Sequence, residues 1–86
     1  MKSFDADAVR QRSPMPALVS ALQRAFAAGA EVPQRHAHAL PEGAGMLLMP
    51  AWRAGGRLGV KTVTIHPANG VRGLPGVHGL YCLFDA

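Results

Sequence analysis

Eighty-six residues make one domain, near the lower size at which a single core holds a fold without staples, and 49% of them are hydrophobic against 16% charged. That is apolar for a chain with so much surface per unit volume, so part of the apolar surface is expected to meet another chain. The net charge of +4 comes from dispersed Lys and Arg, and aromatics are 6% of the sequence, which argues against a basic stripe with stacking platforms and so against nucleic acid as a partner.

The opening Met1 to Asp7 lacks the apolar run of a secretory signal, and no stretch reaches the ~18 apolar residues of a membrane span, so no membrane partner is expected. The single Cys82 forbids an intrachain disulfide. It sits in an apolar run and reads as a buried small hydrophobe in a reducing compartment, the cytoplasm by default.

Residues 13 to 29 read as a helix with both ends marked. Ser13 is a cap residue, Pro14 suits the first turn, and Gly29 suits the stop. Met15, Leu18, Val19, Leu22, Ala25 and Phe26 form one stripe opposite Ser20, Gln23 and Arg24, the pattern of a helix laid on a sheet.

Pro33 and Pro41 flank Gln34 to Leu40, where basic and apolar residues alternate as in a strand. Glu42 to Gly45 reads as a hairpin turn into a second strand, Met46 to Trp52, and Gly55-Gly56 marks the next turn. Leu58 to Ile65 is the clearest strand, rich in Val, Thr and Ile and ended by Pro67. After a Gly- and Pro-rich loop, Val77 to Phe84 forms the last strand, apolar on both faces, which calls for a second surface to cover it. The layout is α+β: an N-terminal helix packed on a mainly antiparallel sheet. The sequence stops abruptly after Phe84, as expected of a chain cut where a longer one continues.

Lys61 shares a strand face with Val63 and Ile65. A lysine held over apolar surface is suited to proton transfer or to binding an anion in a dry pocket; the alternative is a side chain whose ammonium reaches past its neighbours to water. Arg35 offers the planar fork that grips a carboxylate bidentately, with a solvated surface arginine as the plainer reading. His36 and His38 project to one side of a strand, but no Cys or carboxylate neighbour completes a ligand set, so no metal site is expected. Gly70 and Gly73 around Arg72 lack the strand-to-helix setting of a dinucleotide fingerprint and shape a turn instead.

The run Leu47-Leu48-Met49-Pro50-Ala51-Trp52, then Leu58 through Ile65, then Pro67, Asn69, Arg72-Gly73-Leu74-Pro75 and Tyr81 through Asp85, resembles the ornithine cyclodeaminase/mu-crystallin family. The resemblance implies that residues 1–86 are the truncated N-terminal substrate-binding and dimerisation domain of such an enzyme, an incomplete ornithine cyclodeaminase-like fold with the Rossmann domain absent. It implies an NAD- or NADP-dependent deamination and cyclisation of an amino acid, or reduction of a ketimine, in the full-length enzyme, with no cofactor bound by this chain alone. By position it makes Arg35 the residue that clamps the substrate carboxylate and Lys61 a substrate contact and proton-exchanging catalytic group. It implies a homodimer and a small amino or imino acid substrate. The alternative is a stand-alone, non-catalytic module of the mu-crystallin type that binds a small molecule or another protein. Incomplete as it is, the chain alone is expected to be inactive.

Overall fold

The computed structural model describes residues Met1–Asp85. Two helices, α1 (Ala6–Gln11) and α2 (Met15–Ala28), precede four strands, β1 (His36–Ala39), β2 (Gly45–Trp52), β3 (Arg57–Ile65) and β4 (Val77–Asp85). The strands form one antiparallel meander in the order β1-β2-β3-β4. The α+β class and the antiparallel sheet follow the expectation from sequence, and the described residues contain no Rossmann-like fold.

Helix α1 is an element that hydrophobic periodicity does not announce. Asp5 caps it, its side chain accepting from the Ala8 N–H at 2.8 Å, and Asp7 pairs with Arg10 at 2.7 Å on the exposed surface. The Arg12 guanidinium stands 4.9 Å from the Phe4 ring centre. This helix also takes the cap expected of α2, because the Ser13 N–H donates to the Arg10 carbonyl and closes α1. Helix α2 therefore begins without a side-chain cap, at Pro14, and ends at Gly29, whose φ of 78° is one that glycine adopts without strain.

The expectation that α2 lies on the sheet is not met. No residue of α2 is buried, Met15 and Phe26 are 67% and 81% exposed, and neither helix makes more than marginal contact with a strand. The stripe shows that the helix wants an apolar partner; it does not say which surface supplies one.

Strand β3 is the axis of the sheet, paired along its length with β2 on one side and β4 on the other. Its Val and Thr residues suit a pleated surface with neighbours on both sides. Two short 3-10 turns, Pro41–Gly43 and Pro67–Arg72, join β1 to β2 and β3 to β4 at the same end of the sheet. The second ends at Gly73 in the left-handed region (φ 70°), and the Asn69 amide ties across to the Pro75 carbonyl at 3.0 Å. Arg57 and Asp85 face each other across β3 and β4 at 3.6 Å, but both are largely exposed and the pair adds little.

Ala44 and Val63 are the buried hydrophobic residues. Cys82, expected to be buried, is half-buried on β4. The chain's accessible surface is 7219 Å², whereas a compact monomer of its mass exposes about 4,900 Å². Its radius of gyration is 15.6 Å, against about 12 Å for a compact domain of this length. The fold is thus held by its hydrogen-bonded ladder, with little apolar surface removed from water.

This arrangement makes stability depend on β3 far more than on α2. Val63→Ala should lower the unfolding free energy by roughly 1–3 kcal/mol. Leu22→Ala on the uncovered helix stripe should change it by less than about 0.5 kcal/mol. Urea unfolding of the two variants followed by circular dichroism checks the contrast, and equal losses would mean that α2 is docked after all.

Candidate functional site

Cross-strand register sorts the sheet's side chains into two faces, because residues directly opposite in an antiparallel pair point the same way. Lys61 pairs with Met49 of β2 and with Tyr81 of β4. The register of β1 begins with His36 against Leu48, and Arg35, the residue just before it, lines one depression with Met49. Met49, Lys61 and Tyr81 thus form a row across one face, with Arg35 beside Met49 at its β1 end. Two inter-strand steps separate the Arg35 and Lys61 backbones, roughly 10 Å, a span that two long cationic side chains can close over Met49. The two residues singled out separately in the sequence therefore both neighbour Met49.

A change of register falls at Arg35. Glu31 pairs with Trp52 through two backbone hydrogen bonds, the Glu31 N–H to the Trp52 carbonyl at 2.7 Å and the Trp52 N–H to the Glu31 carbonyl at 3.0 Å. Pairing resumes at His36 with Leu48. Between these points the outer segment has four residues, 32–35, and β2 has three, 49–51, which is the one-residue excess of a β-bulge. The sequence explains the break: Pro33 and Pro50 both lack the N–H that a continuous ladder would use there. The bulge leaves a shallow depression lined by Val32, Pro33, Gln34, Arg35, Met49 and Pro50. A second depression, at the β2–β3 turn, is lined by Trp52 to Gly56 and Leu58 and holds neither Arg35 nor Lys61.

Lys61 is exposed in the chain, as is Arg35. The expected dry pocket around the lysine is not formed by these residues alone. Neither cation takes part in an ion pair among the described residues, so both are free to meet an anion. Tyr81 was not among the residues marked for chemistry. Its relation to Lys61 depends on a pairing twenty residues apart in sequence, and a glycine within a strand, Gly59, was the one available hint of a close approach.

The opposite face carries His36 and His38, their rings stacked with centres 6.3 Å apart, and beyond them Thr62, Thr64, His78 and Leu80. No group of three or more His, Cys, Asp or Glu among the described residues is arranged to hold a metal ion. The glycines around Arg72 lie in a 3-10 turn between two antiparallel strands. They lack the strand-to-helix geometry that presents backbone N–H groups to a pyrophosphate, so these residues do not fit a nicotinamide dinucleotide. Among the described residues, no helix is long and apolar enough to cross a membrane.

No family model matches the chain. It is 40% identical over 57 residues to Protein SAR DEFICIENT 4 of Arabidopsis thaliana, a match that covers 63% of this chain and 18% of that protein. The chain therefore spans under a fifth of the length of the curated relative it matches. This corrects the assignment to the ornithine cyclodeaminase/mu-crystallin family. The motif run from Leu47 to Asp85 resembled that family, but the likeness found is a partial one to SAR DEFICIENT 4, with no family model behind it.

With two imidazoles on one edge strand and no third ligand beside them, Zn²⁺ titrated into the chain should show no tight stoichiometric binding. Calorimetry giving one tightly bound ion per chain would refute this.

Proposed function

We propose that this chain is the carboxylate-binding and self-associating part of a longer, cytoplasmic enzyme that acts on a small amino or imino acid with NAD or NADP. The observation that carries this reading is that Met49 is flanked by Arg35, in a shared depression, and by Lys61, its partner across β2 and β3. A guanidinium provides a planar, two-toothed grip on a carboxylate and an ammonium provides a point charge, while the Met49 thioether between them offers apolar contact to the ligand's carbon skeleton. Hydride transfer would need a nicotinamide beside the bound carbon, and that cofactor belongs to another part of the longer chain. The part described here binds and orients the acid. Lys61, beside the ligand on the central strand, is the group available to exchange a proton with it.

Self-association is supported by area. The chain exposes roughly 2,300 Å² more than a compact monomer of its mass. Obligate interfaces bury about 2,000–5,000 Å² in total over both partners, so a second copy and the rest of a longer chain together are enough to account for the excess. The apolar surface concentrates on β4, where Val77, Leu80, Tyr81, Leu83 and Phe84 are each more than half exposed.

Two measurements test the reading. The chain titrated with L-proline should show amide shifts around residues 35, 49 and 61, and prolinamide, which lacks the carboxylate, should not produce them. Arg35→Ala and Lys61→Ala should each weaken proline binding by about 1.5–3 kcal/mol, as expected for losing a hydrogen bond to a charged group. Equal binding of the amide, or full affinity in both variants, would remove the site. In sedimentation, the chain should self-associate with rising concentration, and a clean monomer throughout would refute the interface.

A further inference from the structure

Tyr81 stands next in the row after Lys61, and its ring has a specific seat. The phenol leans along β3 over Gly59, two residues from Lys61 on the same face. A methyl group on Gly59 would overlap the Tyr81 phenol oxygen and ring edge, so the seat exists because position 59 has no side chain. The ring covers the glycine, which is buried, while Tyr81 itself remains 61% exposed. The hydroxyl makes no hydrogen bond among the described residues, so its donor is unused.

Its position relative to Lys61 is set by the backbone. Two residues of strand separate Gly59 from Lys61, roughly 7 Å, which a lysine side chain can span. An anion held over Met49 by Arg35 and Lys61 therefore lies within reach of the phenol as well. A phenol O–H donating to a carboxylate forms a charge-assisted bond and adds direction that the flexible ammonium does not supply.

We propose that Tyr81 is the third polar group of this site, donating its phenol hydrogen bond to the carboxylate gripped by Arg35 and Lys61, and that Gly59 is the positioning residue that seats it. The inference rests on the carboxylate site proposed above. It places an aromatic ring along one side of the ligand, which favours a flat or cyclic imino acid over a branched one.

Binding of L-proline to the full chain and to five variants tests it. Tyr81→Phe keeps the ring and removes the donor, and should lower affinity roughly tenfold, the scale for a hydrogen bond to a charged group. Gly59→Ala keeps the donor but pushes the exposed ring off its seat, and should lower affinity to a similar extent with the amide spectrum of the sheet retained. The double variant should bind no worse than either single one, because both remove the same contact. If Arg35→Ala and Lys61→Ala weaken binding but Tyr81→Phe matches the original chain, the phenol has no role and this inference falls alone. If all five variants bind as the original chain does, the carboxylate site itself falls. If Gly59→Ala unfolds the chain, the Tyr81→Phe result decides.

Discussion

Strand β3 is bonded to a neighbour on both sides, and nearly everything else in the structure takes its place from that fact. A four-stranded meander needs an interior strand whose N–H and C=O groups are satisfied along its length, and residues 57–65, rich in Val and Thr, are built for it. The register of β3 decides which side chains share a face. A slip of one residue against β2 would move Lys61 to the histidine face and leave Arg35 alone. The candidate site is therefore a property of the ladder before it is a property of any side chain.

The ladder is not matched by a core. With Val63 and Ala44 as its buried hydrophobic residues, the chain hides little of its apolar content, and hydrogen bonds exchanged with water contribute modestly to net stability. Helix α2 and strand β4 each carry exposed apolar side chains among the described residues. The same economy explains the openness of the site. A carboxylate held between Arg35 and Lys61 on a bare sheet face competes with water, and the grip strengthens if a second surface closes over it and lowers the local dielectric.

Much of the sheet was legible in the sequence because its signals are local. Val, Thr and Ile at 58–65, the Gly-Gly pair at 55–56 and the apolar run at 77–84 each act through their own backbone, and the strands fall within a residue or two of where those signals put them. The first strand was read too long. Alternation suggested 34–40, but the prolines at 33 and 50 interrupt pairing, and regular structure begins only at His36. Helix α1 went unread because six residues give no periodicity, although Asp5 carried the capping signal. The docking of α2 was inferred from its stripe, and a stripe records a need for burial without naming the surface. Arg35 and Lys61 were legible one at a time from their residue types and neighbours. Their meeting at Met49, and the addition of Tyr81, depend on contacts between distant segments that no local pattern encodes.

The bulge at residues 32–35 has a consequence for the sheet as a template. An open edge invites any extended segment to add to it, and this sheet has two edges. The β1 side is only four residues long and is interrupted beside it by the displaced segment and by Pro33, which cannot donate. The β4 side runs nine residues without a proline. A sheet with one receptive edge and one blunted edge can accept a single added strand and then has nowhere to continue. Where the added strand is β4 of another copy, the two receptive edges consume each other, and growth ends at two instead of propagating into a fibre.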